Sequence, residues 1–359
     1  MALWNSLLQA VVIIALEIAV FVCQLSTNAA VSEAFPDEVQ TIQRAQALSV
    51  YHILFIVAQL FQLILFVDAV RQKNTIQIIG LILYNFVCMA YSILQIVQGN
   101  KVFVSMDVPP GTSKEIQDRL ASKAGVVVAI VLAVVMGLFS MSYAIQAWAL
   151  YKEFGWSVYK KIGADIKMRR KFMIYQVYVM LLKLDVFMLL AFSCQYLVLL
   201  VNESNTLEGA AKYQDIIVHC VVSVGGCCVM LVLGFWSVRA ENKWGMGAFG
   251  AGIIATIGYM INRLVLMQPP YSHPGEPCIL QRDGTLQPAE LCDRYDGSRN
   301  FFTLFLIVDI LLALVTLIVS LFVYRNFGQG LRQHFQQSGP NTDGIYMGNY
   351  QQQKRWSIE

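Results

Sequence analysis

Residues 301–324 read Phe-Phe-Thr-Leu-Phe-Leu-Ile-Val-Asp-Ile-Leu-Leu-Ala-Leu-Val-Thr-Leu-Ile-Val-Ser-Leu-Phe-Val-Tyr, with Asp309 the one charged side chain. A helix rises about 1.5 Å per residue, so about 20 apolar residues cross a hydrocarbon layer of about 30 Å. The run does not alternate and is too long for a barrel strand of about 10 residues. It therefore reads as a transmembrane helix. Seven further stretches qualify, at roughly 4–24, 47–69, 76–97, 124–148, 173–201, 215–238 and 246–267, and all nine prolines fall outside them.

The composition agrees. Of 359 residues, 57% are hydrophobic and 14% charged, and the mean hydropathy is +0.56. Soluble domains carry about 25% charged residues, so a cytosolic enzyme and a disordered chain are both excluded. The net charge of +3 gives no basic footprint for nucleic acid. The expected fold is an all-α, polytopic transmembrane bundle of about eight spans over 1–325. Residues 326–359, rich in Gln, Gly and Asn, are expected to form a disordered cytosolic tail.

Orientation follows from the basic residues. With a cytosolic N-terminus, fifteen lie in cytosolic segments and nine on the opposite side. Both termini are then cytosolic. The first span resembles a secretory signal peptide only superficially: no Lys or Arg precedes it and Glu17 sits in its middle. Its cleavage would leave seven spans.

Six cysteines lie in spans and read as packing residues. Cys278 and Cys292 share an exterior loop and are expected to form a disulfide, stapling a hairpin that turns at Asp283-Gly284. Asn202 opens the sequon Asn202-Glu203-Ser204 on the exterior side, a possible glycosylation site at the end of a span. Lys114 to Lys123 can form a short helix capped by Thr112 or Ser113. The segment 151–171 interleaves Lys160, Lys161, Lys167, Arg169, Arg170 and Lys171 with aromatic and branched residues. Val158, Ile162 and Ile166 would share one helical face, suiting a helix against anionic lipid headgroups.

This segment also carries a resemblance. Tyr151 to Asp165, Tyr175-Gln176, Leu181-Leu-Lys-Leu-Asp185 and Cys292-Asp-Arg-Tyr-Asp296 resemble a fungal uncharacterised family of Golgi apparatus multi-pass membrane proteins. The resemblance implies a Golgi location and no particular chemistry.

Charged groups inside spans are costly and face partners or cavities. Counting residues from the cytosolic face puts Glu17 and Lys183 near the midplane, so Glu17, Lys183 and Asp185 are expected to surround one polar site. Arg263 and Asp309, in adjacent spans, are expected to pair. Asp185 and Asp309 differ in counted depth, which argues against paired aspartyl chemistry. The histidines form no pair at zinc-protease spacing. His52, His219 and Asp215 offer the best metal set, and no resident cofactor is expected. Gly245, Ala248, Gly252 and Ala255 are spaced for close helix contact, and Gly225-Gly226 could break a helix. The leading expectation is a non-enzymatic scaffold, sorting or cargo-handling protein of Golgi membranes with unknown protein partners. The alternative is a transporter or lipid-handling protein, and the third is a seven-span receptor-like protein.

Overall fold

The computed structural model describes residues 2–34, 39–104, 112–162, 166–204, 216–268, 278–280, 286–287 and 299–328. Nine helices form in chain order among them. They are α1 (Ala2–Ala34), α2 (Val39–Gln72), α3 (Thr75–Val104), the short α4 (Lys114–Ala121), α5 (Ala124–Ile162) and α6 (Ile166–Ser204), then α7 (Ile216–Arg239), α8 (Lys243–Leu266) and α9 (Arg299–Arg325). All but α4 contribute a stretch long and apolar enough to cross a membrane, which gives the eight spans read from the sequence. Several helices outrun their apolar segments: α6 starts at Ile166 and α3 continues to Val104.

The side chains are sorted for lipid. Trp4, Leu8, Val22, Ile64, Leu138, Ile145 and Leu321 lie exposed on the outside, while Gln9, Glu17, Gln62, Gln77, Asn85 and Asp309 are buried. A water-soluble protein would show the reverse. With no water in the hydrocarbon, each backbone group must be satisfied within its own helix, and polar side chains turn inward to find partners.

The spans form two groups of four. In the first, α1 packs on α2 and α5, and α3 on α2 and α5. In the second, α9 packs on α6 and α8, and α7 on α6 and α8. Helix α6 joins the groups by touching α2 and α3. Each group has its own apolar core, one around Ile13, Phe55, Leu132 and Met136 and the other around Tyr178, Leu182, Phe249 and Ile253.

Two tight turns use the same chemistry. Lys73 and Glu241 adopt positive φ (52° and 49°), each ending one helix, and the next residue is an asparagine that caps the following one. Asn74 Oδ1 accepts from the N–H groups of Ile76 and Gln77 at 3.0 and 3.2 Å. Asn242 Oδ1 accepts from Trp244 and Gly245 at 2.9 and 3.2 Å. These contacts satisfy orphan donors of the first helical turn.

Helix α4 forms as expected, with Ser113 as its N-cap. Strands β1 (Cys278–Leu280) and β2 (Leu286–Gln287) pair antiparallel, so the 268–300 connection contains the expected hairpin. Asp283-Gly284 and Cys292 lie outside the described residues, as does 329–359. The basic segment is not one interfacial helix. Its first part completes α5 and its second opens α6, because the polar residues extend both spans helically beyond their apolar lengths. Lys167, Arg169 and Arg170 are exposed there, whereas the side chains of Lys160 and Lys161 lie outside the described residues. Asn202 falls in the last turn of α6. Residues 225–226 do not break α7. Cys220–Gly225 instead form a π turn within a continuous helix. Of the small-residue face on α8, Gly245 and Gly252 pack on α7 through Ser237, Trp236 and Met230, while Ala248 and Ala255 are exposed.

Candidate functional site

A cavity of about 570 Å³ opens at the end of the first helical group. Its walls come from the C-terminal halves of α1 and α3, the N-terminal halves of α2 and α5, and α4 across the rim. Helix α4 packs on α1 and is braced by an Arg119–Glu115 ion pair of 2.6 Å. Charged groups line the rim at Glu115, Asp118, Arg119 and Lys123, and His52 and Gln95 line the interior. The mixture of apolar walls and a few convergent polar groups is typical of small-molecule sites.

Beneath the lining sits Glu17, fully buried. Its Oε1 accepts from His52 Nδ1 at 2.7 Å and from Gln95 Nε2 at 3.1 Å. Its other oxygen, Oε2, has no partner among the described residues. The carboxylate fixes the tautomer and angle of the ring, leaving His52 Nε2 as the ring atom available to an occupant of the cavity.

Polar contacts continue from this pair along the interior. Gln9 Nε2 and Gln62 Nε2 both donate to Asn85 Oδ1, at 2.7 and 3.0 Å, and Asn85 Nδ2 donates to Ser140 Oγ at 3.1 Å. Toward the α2–α3 turn, Lys183 Nζ donates to Asp68 Oδ2 at 2.5 Å and to Gln77 Oε1 at 3.3 Å. Asp68 also accepts from Gln77 at 2.9 Å and Gln72 at 2.6 Å. Successive polar tiers thus run through the first group of helices, the last of them reaching across to Lys183 of α6.

These contacts correct the expected three-residue site. Glu17 belongs with His52, Lys183 with Asp68, and Asp185 with the other helical group, where it lines a smaller cavity beside Asp309. Lys183 and Asp185 are two apart on α6 and so face different neighbours. The expected Arg263–Asp309 pair is also absent. Arg263 lies over the rings of Tyr196 and Tyr259, 5.1 and 5.0 Å from their centroids, and donates to Tyr196 Oη at 3.0 Å. Adjacent spans can hold two charges on faces that never meet.

The second group has its own histidine. His219 is fully buried immediately before the π turn. Its Nδ1 lies 2.8 Å from Tyr259 Oη and its Nε2 3.2 Å from Ser193 Oγ. A π turn displaces the helix by one residue, a device frequent at functional positions. His52 and His219 sit in different groups, and Asp215 lies outside the described residues. Among the described residues, no cluster of three or more His, Cys, Asp or Glu side chains is arranged for a metal ion.

Eight apolar helices with polar interiors define a multi-pass membrane protein. Among curated proteins, the chain is similar to a UPF0658 Golgi apparatus membrane protein of Schizosaccharomyces pombe. The two are 28% identical over 298 residues, covering 78% of this chain and 76% of the relative. The likeness to that uncharacterised fungal family, read from its motifs, is therefore shown. No family model and no solved structure matches the chain.

Proposed function

We propose that this is a non-enzymatic, ligand-handling protein of Golgi membranes, of the transporter or lipid-handling class. The cavity of about 570 Å³ built over the Glu17–His52 pair carries the reading. A scaffold needs no open interior. Here an internal volume reaches one end of the bundle, lined by His52 and with an unpartnered Glu17 oxygen beneath it. A space of this size suits one small amphiphile or solute. The Golgi assignment rests on the relative's name.

Helix α1 supplies Glu17, Gln9 and Gln24 to the interior. An interior built partly from α1 side chains supports a reading with eight spans over a cleaved, seven-span receptor. In the orientation with both termini cytosolic, the cavity faces the lumen, as do Asn202 and a Cys278–Cys292 disulfide, and Lys167, Arg169 and Arg170 face anionic headgroups.

The test is organic extraction and mass spectrometry of protein purified from its native membrane, wild type beside Val126→Trp. Val126 lines the cavity, and the indole would fill it. A compound retained by the wild type and lost from a variant of equal thermal stability supports the reading. Identical extracts from the two would overturn it and favour a scaffold.

A further inference from the structure

The second helical group contains two carboxylates without a counter-charge. Asp185 on α6 and Asp309 on α9 line one cavity of about 60 Å³, together with Cys227 of α7 and Thr256 of α8. That volume admits an ion or one or two waters. Asp309 is 2% exposed, and its Oδ2 has no hydrogen-bond partner, nor has Asp185 Oδ1. A separate side chain shows the same lack. Thr316 is fully buried on the same face of α9, two turns beyond Asp309. It lies against Asp185, yet its hydroxyl completes no hydrogen bond.

No Lys, Arg or His among the described residues lies within ion-pair distance of either aspartate. Lys183 turns to Asp68 and Arg263 to the tyrosine rings. The remaining ionisable neighbours are Cys227 on α7 and Tyr178 on α6, and neither supplies a positive charge. Helix α8 contributes Phe249, Ile253, Met260 and one polar residue, Thr256, to the lining. Two carboxylates sharing a site of low dielectric constant cannot both remain bare and ionised. One positive charge must be taken up, and within an otherwise apolar lining the oxygen-bearing residues Asp185, Asp309 and Thr256 come from three helices.

We propose that Asp185, Asp309 and Thr316, with Thr256, form an intramembrane site for a single small monovalent cation, Na⁺ or a proton. The site is separate from the Glu17–His52 cavity and does not depend on its ligand. It provides α6 and α9 with an attraction whose strength follows occupancy. A site of this kind is what an ion-coupled membrane protein requires.

The experiment is thermal unfolding of the full-length protein in lipid nanodiscs, in NaCl or in choline chloride at equal ionic strength, from pH 5 to 9. Wild type is compared with Asp309→Asn and Thr316→Val. Occupancy by Na⁺ predicts that NaCl raises the wild-type Tm by several degrees at pH 9, with the rise lost in both variants. Occupancy by a proton predicts no difference between salts. Wild-type Tm would then fall as pH rises, and Asp309→Asn would flatten that fall. A variant that fails to fold is replaced by Asp185→Asn under the same comparison. A wild-type Tm indifferent to both Na⁺ and pH, or a response unchanged in the folded variants, would overturn the proposal.

Discussion

The Asp68–Lys183 pair offers the sharpest energetic test, because it joins the two helical groups. Lys183 Nζ reaches across from α6 to α2, and the side chains are 33% and 17% exposed for Asp68 and Lys183. Removing one partner of a fully buried pair costs about 3–5 kcal/mol. This pair is partly open, and Asp68 would keep the Gln72 and Gln77 amides, so Lys183→Met should cost about 2 kcal/mol. Asp68→Asn should cost about as much, since Lys183 would then hold only Gln77 Oε1 at 3.3 Å. The double variant buries no unpaired charge. It should be destabilised by about 2 kcal/mol instead of the additive sum, a coupling of about 2 kcal/mol. Denaturant titration of the four proteins in micelles, followed by tryptophan fluorescence, measures the cycle. Additivity within about 0.5 kcal/mol would refute the pairing and with it the proposed registration of α6 on α2.

Further outcomes follow from other contacts. Asn85→Leu should destabilise by about 2–4 kcal/mol in the same titration, because it strands the donors of Gln9 and Gln62 in a dry interior. Asn74→Ala and Asn242→Ala should each lower stability by about 1 kcal/mol through loss of a helix cap, read as a shift in the unfolding midpoint. Gly245→Val should cost about 1–3 kcal/mol, since even a Cβ there would meet Ser237 Oγ at 2.5 Å and the Trp236 ring at 2.8 Å. Gly252→Ala should be milder, because its obstruction is the flexible Met230 side chain.

The spans were legible because hydrocarbon imposes one length and one solution to backbone hydrogen bonding, and residues 301–324 show both without help from any neighbour. The pairing of charges was not legible. Counting from an apolar boundary at 173 puts Lys183 near the depth of Glu17. The helix begins at Ile166, and Lys183 lies beside Asp68, one turn before α2 ends. Depth counted along one helix does not transfer to a neighbour of different length. Asp185 and Asp309 illustrate the same error in reverse: separated by counted depth, they line a common cavity. The Glu17–His52 contact had a usable signal in the sequence. Both are costly in a span, and they lie on consecutive spans joined by a short connection, which makes antiparallel neighbours natural. The cavity had no such signal, since it depends on α4 lying across the mouth.

The distribution of unpartnered atoms bears on why so many polar groups are kept in the bilayer. If they served only to fix helix registry, every donor and acceptor should be matched, because an unmatched one costs about 1–3 kcal/mol and adds no specificity. Asn85 and Lys183 behave that way: each meets two or more partners. Glu17, Asp185 and Asp309 each retain an oxygen without a partner, as do the amides of Gln9 and Gln62 beside Asn85, but in the three carboxylates the unmatched atom belongs to a group that can carry charge. Two of the three line a cavity directly, and the third holds a histidine that does. A protein selected for rigidity alone would gain by replacing these carboxylates with apolar residues of similar volume. Replacing Asp185 and Asp309 should therefore leave the bundle folded and as stable as the unoccupied protein while abolishing what their cavity holds; replacing Glu17 would also strand the His52 and Gln95 donors. That separation of stability from occupancy is the outcome a purely architectural role forbids.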